Sequence, residues 1–389
     1  MKLPLAASSL LLTLVLTLTL SACASLNPIH WFSGKKQVVA KPAPLLVIKN
    51  QINVATVWHT HLSDKKTAAF SPAAVLDAIY IASNRNELAR INPQNGQRIW
   101  KIKTPANLSA GVGASLDSEF LGTQKGELIA YDASGKQRWK TTLSSSIEGL
   151  PRAADGILVV RTGDGDIYGL DAATGVQKWR YRHTLPSLTL QSQAGVVLYK
   201  GGVFAGYAGG KLLALTLDTG SIGWDAEVSI PHGATEIERI NDVTSNPVVN
   251  DHEACAVNFQ GRLSCFDVHS GNQLWSKDMS STSGLAMDDN NIYVSDTEGN
   301  VYAFESEHGV NLWKQSALHL RQLTAPCRVG DYLAVGDLQG YIHFLSLEDG
   351  HFVARIATDG SPILTAPVPY RNGLLVQTGK GGLYFISLS

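Results

Sequence analysis

The sequence predicts an all-β fold: an eight-bladed β-propeller of four-stranded antiparallel blades, its ring closed by N- and C-terminal strands that share one blade. Three observations carry that expectation. First, a strand–turn–strand phrase recurs, as in Gly165–Trp179 (GDIYGLDAATGVQKW), Gly126–Trp139 (GELIAYDASGKQRW) and Gly261–Trp275 (GRLSCFDVHSGNQLW), and in each copy a glycine stands four residues before the final position. Second, the copies end at Trp100, Trp139, Trp179, Trp224, Trp275, Trp313 and, with alanine replacing tryptophan, Ala354, at spacings of 39, 40, 45, 51, 38 and 41 residues. A period near 40 made of short strands and tight turns marks a propeller, one blade per repeat. Third, Trp58 lies 42 residues before Trp100 and belongs to the outer strand of one further blade. The last strands of the chain, near Pro367, Gly373–Gln377 and Gly382–Ser387, supply its other three. No blade buries both of its faces alone, so neighbours stack and a closed circle removes the exposed ends.

Residues 1–22 read as a signal peptide: Lys2, a leucine-rich apolar run, then Leu20-Ser21-Ala22 before Cys23. Small residues ending in a cysteine resemble a bacterial lipobox, which makes Cys23 an acylated, membrane-anchoring N-terminus. Ala24 follows where an inner-membrane retention signal would carry aspartate, and that resemblance implies the outer membrane. Residues 23–44, with Pro28, Pro42 and Pro44 and no periodic pattern, form a tether of at most about 70 Å when extended.

Residues 45–389 form the propeller, continuous repeats overriding the length prior for two domains. Within a blade, a proline near the inner strand recurs (Pro72, Pro151, Pro247, Pro326, Pro367). A turn such as Asp155-Gly156 follows, then an apolar strand such as Ile157–Val160, then a tight pair such as Asp164-Gly165 or Gln260-Gly261. Apolar residues line both faces because each blade is sandwiched. Trp58, Trp100, Trp139, Trp179, Trp224, Trp275 and Trp313 are inter-blade plates, each with an N–H that needs a partner.

Charge and motifs exclude several chemistries. Cleavage of the signal removes one charged residue, Lys2, leaving 31 basic and 33 acidic side chains and a net charge of −2. No basic run interrupts the repeats, which argues against nucleic acid as a partner. Gly163–Asp166 looks calcium-like but sits at a turn that every blade has. Gly111-x-Gly113 and Gly379–Gly382 lack the strand-to-helix context of a phosphate loop. His59 and His61 share a strand face without further clustered ligands, and no Gly-x-Ser-x-Gly elbow occurs. No metal, cofactor or catalytic residue is expected. Cys255 and Cys265 flank the Gln260-Gly261 hairpin; a two-residue turn would set their sulfurs on opposite faces. They are expected to be free buried thiols, with Cys327 a third.

The repeat grows in two consecutive intervals, at about Thr184–Gln193 and Ser229–Asn246, both connections from one blade's outer strand to the next blade's inner strand. The first carries Leu188 and Leu190 in alternation; the second, Thr235–Thr244, mixes charged and apolar residues. An apolar spot beside a charged loop has the composition of a protein-binding site.

Lipobox, tether and eight repeats of the form L-x-x-L-D-x-x-T/S-G-x-x-x-W resemble the BamB family, lipoprotein subunits of the outer-membrane β-barrel assembly machinery. The more specific match is Pro186-Ser187-Leu188-Thr189-Leu190 together with Thr235–Arg239 and Asp242-Val243. The resemblance implies a non-enzymatic scaffold in the outer membrane, lipid-anchored and facing the periplasm. It implies docking of these loops on the POTRA domains of BamA, alongside other Bam subunits, and contact with unfolded outer-membrane protein precursors. Partner-binding positions carried over are Leu188, Leu190, Gln191, Glu236, Arg239, Asp242 and Thr244. Gln191 stands where the family usually has arginine, and Thr244 where it often has a second aspartate. A quinone-dependent dehydrogenase shares the repeat and is the alternative reading. The chain has no adjacent cysteine pair and no clear calcium-ligating carboxylate set, and is short for that class.

Overall fold

The recurring phrase becomes a recurring sheet. The computed structural model describes residues 41–62, 69–75, 77–105, 107–190, 192 and 194–388. Cys23 and the signal lie outside the described residues. Among the described residues thirty-two strands form eight four-stranded antiparallel sheets, each built of strands consecutive in the chain except the last. The third blade is representative: Arg152–Ala154, Ile157–Arg161, Ile167–Asp171 and Gln177–Tyr181, paired in that order from the ring's interior outwards. The two middle strands are buried almost throughout, while the outer strand exposes most of its side chains. That gradient follows from stacking, because only the middle of a blade has neighbours on both faces.

The tryptophans clamp blade to blade. Trp179 of the third blade lies against Gly220 of the fourth, and an added Cβ at Gly220 would come within 2.4 Å of the indole. Gly220 also has φ of +67°, so glycine is required for both space and conformation. Each of the seven indole N–H groups donates to a carbonyl in the next blade's turn, at Pro93, Ala133, Ala172, Leu217, Val268, Ser306 and Leu347, over 2.6–3.1 Å. The glycine four residues before each repeat's end is therefore the seat for the preceding blade's indole. A bulge turns each ring inward. In the third blade Gly169 faces Trp179 while Leu170 faces Gln177, so Lys178 is the extra residue. The same irregularity occurs in all eight blades.

The termini close the ring as expected. Val54–His61 pairs antiparallel with Gly382–Leu388, from Val54 opposite Leu388 to His61 opposite Gly382. The closing blade consequently has no turn between its third and fourth strands, and nothing there could seat an indole. Ala354 is the physical consequence: it packs with Val353 against Ile52 and Val54 of the N-terminal segment. That segment runs along the seventh blade. Ala43 N–H donates to His319 O, Gln51 N–H donates to Val353 O, and the Arg355 guanidinium donates to Leu46 O. Beneath it Arg321 pairs with Asp337 at 2.6 Å, and Asp337 meets His343, which accepts from Arg355. Burial pushes the Asp337 carboxyl up, but His343 and Arg321 outweigh it and hold the group below its usual range.

One expectation is corrected. Cys255 and Cys265 form a disulfide, their Cα atoms 4.1 Å apart, because Cys255 lies directly opposite Cys265 and not Phe266. Asn258 N–H donates to Arg262 O, so the hairpin loop has three residues, Phe259, Gln260 and Gly261, with Gln260 at φ of +54°. One extra residue shifts the register by one and brings the sulfurs to one face. Cys327 is a free buried thiol, its pKa pushed up to about 12 by burial.

Deleting residues 380–389 removes the strand that joins both chain ends. The truncated protein is expected to lose cooperative thermal unfolding, since an edge and two blade faces open to water. Circular dichroism melting checks this, and a truncated form that melts like the intact chain contradicts the closure.

Candidate protein-docking site

The two lengthened connections lie side by side, because blades four and five are neighbours. Three hydrogen bonds lace them. Leu190 N–H donates to Asp242 Oδ2 at 2.6 Å, Ser192 Oγ–H donates to Thr244 O at 2.8 Å, and Gly195 N–H donates to Asn246 Oδ1 at 2.8 Å. Asp242 Oδ1 also accepts the Gly209 N–H at 3.0 Å, and Phe259 N–H donates to Asp242 O at 2.9 Å. Asp242, carried over from the resemblance as a partner-binding position, is thus buried and its carboxylate is filled from its own chain. It holds the loops together. Val243 beneath it is buried against Gly206, where a Cβ would collide at 2.1 Å.

The second connection is anchored at its base and projects at its tip. Asn241 and Asn258 converge on Ser229: Ser229 Oγ–H donates to Asn241 Oδ1 at 2.8 Å and Asn258 Nδ2 donates to Ser229 Oγ at 2.6 Å. All three side chains are buried and satisfied. Beyond them Thr235-x-x-Glu238 forms a capping box. Glu238 N–H donates to Thr235 Oγ1, and Glu238 Oε2 accepts the N–H groups of Ala234 and Thr235. These backbone hydrogen bonds hold the Glu238 carboxyl below its usual range. One helical turn results, with Arg239 N–H donating to Thr235 O. Glu236, Ile237 and Arg239 are exposed on it.

The apolar surface is larger than expected. Leu188 is 43% exposed, and Ile237 and Ile230 are 69% and 60% exposed. Leu190 is half-buried, Thr244 is half-buried with its hydroxyl directed to Thr282 O, and Gln191 lies outside the described residues. Ile230 and Ile237 were missed as site residues. The Thr235-x-x-Glu238 signature could have found Ile237, because a single capped turn outside any blade leaves its apolar residue in water.

The acidic and metal-like groupings that the sequence offers are occupied by internal contacts. Asp164 accepts from Thr162 Oγ1 at 2.5 Å and Asp166 pairs with Arg180 at 2.5 Å, so the calcium-like turn is internally spent. Among the described residues, two clusters gather three potential metal donors. In one, both cysteines are in the disulfide. In the other, Glu305 accepts the N–H groups of Glu307 and His308 at an exposed turn.

Comparison with known proteins agrees with the geometry. A family model described as outer membrane protein assembly factor BamB matches residues 84–315. A protein of that name from Nitrosomonas eutropha is 38% identical over 383 residues, covering 96% of this chain and 94% of its own. Those of Burkholderia pseudomallei and Escherichia coli are 41% and 32% identical, covering 90% and 97% of this chain and 93% and 98% of their own. The crystal structure of BamB from Moraxella catarrhalis superposes with a TM-score of 0.79 at 29% identity, over 86% of this chain and all of that one. A quinohemoprotein alcohol dehydrogenase from Comamonas testosteroni reaches 0.71 at 13% identity, over 87% of this chain and 77% of its own, and shows the fold alone.

Asp242→Ala removes two charge-assisted hydrogen bonds, each worth about 1.5–3 kcal/mol. Amide exchange at Leu190 and Gly209 is expected to accelerate about tenfold or more, with strand amides of blades one and two unchanged. Deuterium-exchange mass spectrometry checks this, and unaltered exchange at both amides would show that the clasp is not holding the loops.

Proposed function

The chain belongs to the BamB family of outer-membrane protein assembly factors, and on that premise we propose that it is a non-enzymatic docking scaffold, bound through its two laced connections to the POTRA domains of BamA. Its role lies in outer-membrane protein assembly. The observation that carries the docking reading is the exposed trio Leu188, Ile230 and Ile237 on loops that the rest of the fold holds rigid. Large apolar side chains on pinned loops lose little entropy on binding, and their burial supplies affinity. Glu236 and Arg239 form the charged rim and set orientation.

Residues 1–22 serve as the signal, Cys23 as the lipid anchor in the outer membrane, and the following tether reaches to Ala43, where the chain meets the ring in the periplasm. The distant likeness to quinone enzymes extends to the fold and brings no reaction with it. The outer strands are poor templates for capturing unfolded chains, because lysines such as Lys101, Lys103, Lys140 and Lys314 guard their edges. The loops are the better docking surface.

Leu188→Ser and Ile237→Ser are each expected to cut co-purification of BamA about tenfold from gently solubilised membranes, and more when combined. Both side chains are exposed, so melting temperatures should stay within a few degrees of the intact protein. Undiminished co-purification of the double variant would place the dock elsewhere, and a collapsed melting temperature would make these side chains structural.

A further inference from the structure

Beside the laced loops a cavity of about 260 Å³ opens between the third and fourth blades. Its walls include Glu148, Arg161, Leu185, Thr189, Leu190 and Asp242. Arg161 ends the strand Ile157–Arg161, and its guanidinium lies 4.5 Å over the Tyr207 ring, with Nη1 donating to Gly206 O at 2.6 Å. Tyr207 is itself fixed, its hydroxyl donating to Gly165 O at 2.9 Å. Among the described residues Arg161 makes that one hydrogen bond, and no carboxylate lies within the 4.0 Å of an ion pair. Arg321, buried beside the N-terminal segment, differs in being paired with Asp337.

We infer that this cavity receives a carboxylate side chain of the docked partner, with Arg161 as its counter-charge. The inference rests on the docking reading above and names the chemistry at that site. A guanidinium stacked on an aromatic face presents its remaining donors as a planar fork, which suits a carboxylate. The two acidic residues in the wall do not fill that place. Asp242 is saturated by Leu190 and Gly209 N–H groups, and Glu148 accepts from Ser146 Oγ at 3.2 Å. Neither comes within ion-pair distance of the guanidinium; both act on it through space, but burial outweighs them and holds it below its ordinary pKa. Leu185, Thr189 and Leu190 of the cavity lining belong to the connection that carries exposed Leu188, so a partner seated on Leu188 sits beside the cavity and can reach into it. Covering expels water and strengthens an ion pair made inside. A tethered carboxylate also arrives at high effective concentration, which a free anion facing Glu148 and Asp242 does not.

The test measures affinity of the full mature protein for detergent-solubilised BamA at several salt concentrations. Arg161→Gln is expected to weaken binding about tenfold and flatten its salt dependence, and Arg161→Glu to weaken it about a hundredfold. Thr189→Phe, which plugs the cavity and keeps the charge, should also weaken binding about tenfold. A lysine replacing one acidic residue of the partner should restore binding to Arg161→Glu. Wild-type affinity in Arg161→Gln and Arg161→Glu, with Leu188→Ser still defective, overturns this inference and leaves the docking reading standing. Wild-type affinity in Leu188→Ser as well removes both. If the Arg161 variants melt early, Thr189→Phe decides: normal binding by it overturns the inference.

Discussion

The seat that every blade but the closing one offers to the indole of the blade before it governs this ring. The contact has three parts: a tryptophan tipped inward by a one-residue bulge, a glycine at positive φ beneath it, and a carbonyl that takes the indole N–H. Trp179 on Gly220 with Leu217 O shows all three. Each part fails without the others, since a Cβ at the glycine would strike the ring and an unpaired indole N–H in a buried seam is costly. Repeated seven times, the clamp fixes the stacking of the blades, and buried residues of the connections such as Val228 and Val243 add to the seams.

Beyond those buried positions two connections grow. Thr184–Gln193 joins blades three and four, Ser229–Asn246 joins blades four and five, and their outer parts form a surface. They do not become floppy, because Asp242, Ser192 and Asn246 lace them to each other and Asn241 pins the base of the second. The disulfide Cys255–Cys265 lies in the same hairpin, whose loop residue Phe259 binds the main chain of Asp242. A rigid support under exposed Leu188, Ile230 and Ile237 is the physical basis of the docking proposed above.

Much of this was legible in the sequence, and what was not has definite causes. The period, the indoles and the glycine before each one state the blade and its clamp, because both partners of that contact recur at fixed offsets. The sequence shows alanine replacing tryptophan at Ala354 without the reason, which is closure: a blade made of both termini has no turn to seat a ring. The cysteine pairing turned on a single residue: Gln260 in the left-handed region makes a three-residue loop where Gln260-Gly261 reads as a two-residue one. The composition of the two connections marked them as a candidate site, but not which residues face out. A carboxylate such as Asp242 reads as surface until the backbone N–H groups that fill it are seen, and those come from positions 33 and 52 residues away.

Site-specific photocrosslinking in intact cells tests the docking surface most directly. A photoreactive residue at position 188 or 237 should trap BamA, and one at position 312, an equally exposed apolar site on the outer strand of the sixth blade, should not. Crosslinks to BamA from position 312 with none from 188 or 237 would contradict docking through the laced connections.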